Sequence, residues 1–252
     1  MKKSLVALAV LGAFAGAASA QSSVTVFGTI DTNLQRVSAD GAGSITRLHN
    51  NGLNAPAWGV KGEEDLGGGL KASFHLEGQF GPDDGSLQGN ASTDNRSAAT
   101  TALFGRRSTV SLSGSSWGEV RLGRDFTPDF LGVISGTVFG TSGSAQSLAY
   151  TCQGLVSPAT TCVSNVRASN AIQYFLPANL GGVYGNFMYA LGENVSNTGD
   201  NKSDGRHVSG RLGVKIAGLD ASVSSGKTSQ TPRSMSSARQ GNSTNGSSSS
   251  PQ

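Results

Sequence analysis

The chain has few of the residues on which most catalytic and metal sites depend: its 252 residues hold two cysteines and three histidines. His49, His75 and His207 fall in separate segments, with no cysteine, carboxylate or serine spaced as a triad or a ligand set. Neither an enzyme nor a bound metal or cofactor is expected. The run Gly67 to Lys71, GGGLK, lacks the spacing of a phosphate loop and precedes a strand pattern instead of a helix. Net charge is also scarce. Without Lys2 and Lys3, the 19 basic residues fall to 17 against 16 acidic ones, so nucleic acid is not implied as a partner. Nowhere beyond the first twenty residues does an apolar run approach the roughly 18 residues of a transmembrane helix. A membrane-inserted form of this chain must therefore be a β-barrel.

What is present begins with a secretory pattern. Lys2 and Lys3 form a basic start, Leu5 to Ala18 an apolar stretch too short to anchor, and Ala18-Ser19-Ala20 a small-residue cleavage site. Residues 1–20 are thus expected to be a signal peptide, with the mature chain starting near Gln21. The 36 glycines, about twice the usual share, have no collagen-like period and fit many tight turns and closely packed strands.

The most informative stretch is Trp58 to Phe80. Leu70, Ala72, Phe74, Leu76, Gly78 and Phe80 share one parity, and Lys71, Ser73, His75, Glu77 and Gln79 share the other. Alternate side chains of a strand point to opposite faces, so one face is apolar and the other polar, over about the length a tilted membrane strand needs. Trp58 and Val60 against Lys61 and Glu63 repeat the pattern, with Asp65 to Gly69 as the turn. Taken alone, this hairpin fits a soluble β-sandwich equally well.

The rest of the chain separates the two. Further alternating segments are expected over Val24–Leu34, Phe104–Ser113, Glu119–Arg124, Ala168–Phe175, Val183–Leu191, from His207 to Ile216, and from Leu219 to about Gly226. Polar connections join them, from Gln35 to Ala57, Gly81 to Leu103, Asp125 to about Arg167, and Asn194 to Gly205. Long and short connections alternate without a break, as the loops and turns of an outer-membrane barrel do. The fold class expected is all-β, a transmembrane antiparallel barrel with about nine strands. Cys152 and Cys162 share the longest connection and read as a disulfide staple of that loop in an oxidising compartment, since further metal ligands are missing nearby.

At SSVTVFGTID, WGVKGEEDLGGGLKASFHLE, ALFGRRSTVSLSGSSWGEVRLGRDFTP and NAIQYFLPANLGGVYGNFMYALGE, the chain resembles the general porins of Gram-negative outer membranes, above all their betaproteobacterial branch. The resemblance covers about Ser22 to Lys227. It implies a sixteen-stranded, homotrimeric barrel in outer-membrane lipid, whose water-filled pore passes small hydrophilic solutes and ions. It also implies that the long loop after Arg124 folds inward and narrows that pore. Constriction candidates carried over on this basis are Arg106, Arg107 and Arg124 on the wall, with Asp125 and Asp129 on the loop. Parity places Lys61, Glu63, Lys71, His75 and Glu77 on the lumen face. Of these, Lys61, Glu63, Lys71 and Glu77 are expected near the periplasmic turn.

Residues 21–227 form the expected barrel domain, of which only the N-terminal part is present, and residues 228–252 a disordered Ser-rich tail. After Val223 there is no Val, Ile, Leu, Phe, Tyr or Trp, a composition that cannot bury surface. A frameshift or premature end would produce such an ending, and nine strands alone would leave two unpaired edges facing lipid. The alternative function is therefore a non-conducting, structural or adhesive barrel fragment.

Overall fold

The computed structural model describes residues 22–41, 43–87, 95, 102–137, 166–193 and 202–229. The expected signal peptide, Cys152 and Cys162, and the tail from residue 230 onwards lie outside these. The described residues form eleven strands: β1 Ser23–Thr29, β2 Thr32–Ala39, β3 Gly43–Asn50, β4 Ala57–Gly67, β5 Leu70–Gln79, β6 Arg107–Gly114, β7 Gly118–Phe126, β8 Arg167–Phe175, β9 Val183–Ala190, β10 His207–Ile216 and β11 Leu219–Thr228. One helix, α1 Pro128–Ser135, follows β7.

Nine of the strands form one antiparallel sheet in the order β1-β4-β5-β6-β7-β8-β9-β10-β11. The sheet is open in this structure, with β1 and β11 at its two edges. Register decides its two faces. Val24, Gly62, Phe74, Val110, Leu122, Ile172, Tyr189 and Val208 are cross-strand neighbours in one continuous row. The adjoining row on the other face runs Ser23, Glu63, Ser73, Ser111, Arg121, Gln173, Met188, Ser209 and Gly226. The apolar row lies open, with Val24 69% and Val110 59% exposed. In a soluble sandwich this face would be packed against a second sheet. An uncovered apolar band spanning eight strands is instead the surface that hydrocarbon solvates.

Turn chemistry fixes the register. At the β4–β5 corner Gly68 and Gly69 both have positive φ, +60° and +79°, the two-residue geometry that matches the twist of the flanking strands. Asp65 Oδ1 accepts the N–H of Gly67 at 2.8 Å, beside a register shift between Asp65 and Gly67. The β10–β11 corner repeats the geometry with Ala217 at +48° and Gly218 at +85°.

Two expectations are corrected. The segment Val24–Leu34 is not one strand, because Asp31 accepts the backbone N–H groups of Gly52, Leu53 and Asn54 at 3.0, 2.8 and 2.8 Å. That pins the returning chain at the end of β1, so β2 and β3 pair only with each other as a separate two-stranded ladder. The second correction concerns the long connection, whose start is ordered as α1. Thr127 caps the helix, its hydroxyl accepting the N–H of Phe130 at 3.3 Å, and Pro128 occupies the first turn with Asp129. The signal Thr-Pro-Asp was present in the sequence. The helix packs against β9, β10 and β11, far along the sheet from the β7 strand that feeds it. The helix therefore lies over the polar face.

Candidate functional site

Charge gathers on the polar face where β5, β6, β7 and β8 begin or end beside the long connections. Glu77 on β5 faces Arg107 on β6 in register. Its carboxylate accepts the Nε–H of Arg106 and lies 3.1 Å from Nε2 of His75. Arg107 Nε sits 3.1 Å from Thr109 Oγ1 and 3.5 Å from Asp125 Oδ2. The same Asp125 oxygen accepts from Arg121 Nη1 at 2.5 Å, while Arg121 Nε and Nη2 form a bidentate pair with Glu119 at 2.9 and 3.1 Å. Asp125 is thus the bridge between two guanidinium groups.

Aromatic rings support the arginines from behind. The Arg121 guanidinium lies 4.2 Å from the centre of the Phe175 ring, and that of Arg167 lies 4.4 Å from Phe126. A planar, weakly hydrated guanidinium stacks where an ammonium would be poorly held. Arg167 is buried, 6% exposed, and its Nε donates to the carbonyl of Arg106 at 2.9 Å. The arginines at 106, 107, 121 and 167 outnumber the carboxylates of Glu77, Glu119 and Asp125, so the cluster has an excess of positive charge.

The sequence candidates separate accordingly. Arg106 and Arg107 join the cluster. Asp125 does too, but as a residue of strand β7 and not of the loop. Arg124 has the apolar parity of β7, facing Ser108, and turns its side chain to the Gly105 carbonyl at 2.7 Å and Ser169 Oγ at 2.8 Å. Asp129 is indeed on the connection, yet it sits in α1 over β10 and β11, 3.5 Å from His207, not among the arginines.

Lys71 and Glu63 lie beside the β4–β5 turn and form a half-exposed pair at 2.6 Å, a contact of small energetic worth. Lys61 is mid-strand, its ammonium 5.5 Å from the Phe27 ring centre. Glu77 corrects the expectation that placed it near the turn: it lies at the opposite end of β5, in the arginine cluster. A hollow of about 370 Å³ opens on this face beside Thr25, Lys61, Glu63, His75 and Arg107.

Arg121, Glu119 and Arg167 were not singled out from the sequence. For Arg121 and Glu119 the signal was available, since Val120 and Leu122 already assign the odd positions of β7 to the polar face. Arg167 carried no such signal, because its role depends on the neighbouring carbonyl of Arg106. Among the described residues no group of three or more His, Cys, Asp or Glu side chains is placed to hold a metal ion.

The chain is similar to known proteins over most of its length. A family model described as a Gram-negative porin matches residues 7–247. The chain is 44% identical over 224 residues to outer membrane porin protein 32 of Delftia acidovorans, covering 88% of this chain and 59% of the relative. It is 33% identical over 214 residues to an outer membrane porin protein of Bordetella pertussis, covering 78% of this chain and 49% of that one. Among solved structures, an anion-selective porin from Comamonas acidovorans superposes with a TM-score of 0.65 at 38% identity, over 82% of this chain and 58% of the other. OmpF of Salmonella typhi, at 13% identity and a TM-score of 0.52 over 83% of this chain and 55% of the other, shares the fold alone. The chain spans about half the length of the curated relatives it matches.

Proposed function

The chain belongs to the Gram-negative porin family, and on that footing we propose that it supplies one wall of an outer-membrane channel for passive diffusion of small hydrophilic solutes and ions. The observation that carries this reading is the division of one sheet into an open apolar face and a face lined with charge. A lipid-facing band outside and a wet, charged surface inside are what a diffusion pore requires. The arginine excess would raise the local concentration of anions along the polar face, where low-dielectric walls strengthen each charge. We assign an anion preference to the channel, with Arg106, Arg107, Arg121 and Asp125 at its narrowest ring.

In this reading Arg124 and Asp129 hold loop segments in place, and Lys61, Glu63, Lys71, His75 and Glu77 line the lumen. The assembly is a homotrimer in outer-membrane lipid, and its work is transport without catalysis. The test is reconstitution in planar bilayers under a potassium chloride gradient. Stepwise conductance with a reversal potential set by chloride is expected. Folded, inserted protein that passes no current, or a reversal potential set by potassium, would overturn the respective half of the proposal.

A further inference from the structure

The polar face carries one patch that differs from the charged wall. Ala168 and Ala171 on β8 and Met188 and Ala190 on β9 are buried there, the one cluster of buried apolar side chains among the described residues. Beside it His207 on β10, paired in register with Ala190, is 1% exposed. Its Nε2 lies 2.8 Å from Ser209 Oγ and 3.5 Å from Asp129 Oδ1 of α1, and its Nδ1 lies 2.8 Å from Thr228 Oγ1. The backbone carbonyl of Asp129 accepts from Ser224 Oγ on β11 at 3.3 Å.

Two glycines make this approach possible. A Cβ at Gly226 on β11 would stand 2.7 Å from the carboxylate carbon of Asp129 and 2.9 Å from Ser209 Cβ. A Cβ at Gly132 on α1 would stand 2.0 Å from Ser224 Oγ. Neither glycine has positive φ, so space, not backbone conformation, requires them. Gly210 on β10 is the contrast: a Cβ there meets nothing closer than 3.8 Å.

We propose that Gly226 and Gly132 are positioning residues that seat α1 against β10 and β11, with Asp129 set beside His207, and that this seat sets how far α1 projects into the lumen. The helix is too short to be stable alone in water, so its place depends on the wall that receives it. The part of the inference that concerns lumen width rests on the channel reading. The part that concerns docking does not.

The experiment uses the full chain folded in detergent, with heat-modifiable gel mobility as the check on folding. Chymotrypsin cleavage after Phe130 reports docking. Gly226→Ala is expected to speed that cleavage about tenfold through local opening, and Gly210→Ala to leave it unchanged. Asp129→Ala alone also speeds cleavage. In the Asp129→Ala background, Gly226→Ala should add little, since the carboxylate it displaces is gone. In bilayers, Gly226→Ala should shift the single-channel conductance. Rapid cleavage of the unmodified protein, equal protection of Gly226→Ala, or strictly additive effects would overturn the seat. If the unmodified protein passes no current, the channel reading fails and the proteolysis still decides the docking.

Discussion

Replacing Asp125 by asparagine removes the one negative charge shared by Arg107 and Arg121 while keeping the side-chain shape. Its oxygen lies 2.5 Å from Arg121 Nη1 and 3.5 Å from Arg107 Nε, and the side chain is 8% exposed. A pair of charge centres about 4 Å apart is worth about 4 kcal/mol at the effective dielectric suited to such sites. Part of this is recovered, because Arg121 keeps its bidentate contact with Glu119 and an asparagine oxygen still accepts. A net destabilisation of about 2 kcal/mol is expected, below the range for stripping a fully buried pair.

The same change raises the charge of the cluster by one unit. At about 8 Å in water that is about 0.5 kcal/mol, a two- to threefold rise in local anion concentration. Denaturant unfolding in detergent micelles and reversal potentials in bilayers read the two effects on one sample. Lower stability together with stronger chloride preference is the expected result. Unchanged stability would refute the bridging role of Asp125, and an unchanged or reduced chloride preference would refute the placement of this cluster on the conduction path.

Ala217 holds a left-handed conformation at the β10–β11 turn, so Ala217→Gly should stabilise the protein by about 1 kcal/mol, read as a higher denaturant midpoint. Arg167→Ala should cost about 3 kcal/mol, because it frees the Arg106 carbonyl and empties the face of Phe126; equal midpoints would contradict the role given to it. The backbone N–H groups of Asn54, Leu53 and Gly52 hold the Asp31 carboxyl below the ordinary aspartate value. A group depressed in the folded state stabilises above its ordinary value and loses that contribution as pH falls through the lower, folded value. Amide hydrogen exchange at 52–54, corrected for intrinsic rates, should therefore be slow at neutral pH and speed up on acidification through that window. Asp31→Asn should exchange fast throughout, and slow exchange in that variant would dismiss the pinning of β2 and β3.

Much of the wall was legible because strand parity is a local property. Once Phe74 and Leu122 are assigned to the apolar face, Lys71, His75, Glu77 and Arg121 follow without any knowledge of neighbours. The glycine turn at 67–69 was legible for the same reason, since positive φ is a demand of the backbone at that point. Asp129 was misjudged because sequence placed it only on a loop, and the destination of a loop is set by what receives it. The break after β1 was missed because Asp31 acts on residues 21 to 23 positions away.

The sequence by itself determined that this chain is a two-faced antiparallel sheet with charge on one side, because a period of two and the turn residues are written locally. Only the tertiary structure decided that α1 rests on β10 and β11, that Asp125 bridges two arginines and that Glu77 belongs with them. These depend on register across strands and on the fit of Gly132 and Gly226, contacts between distant segments that no local pattern encodes.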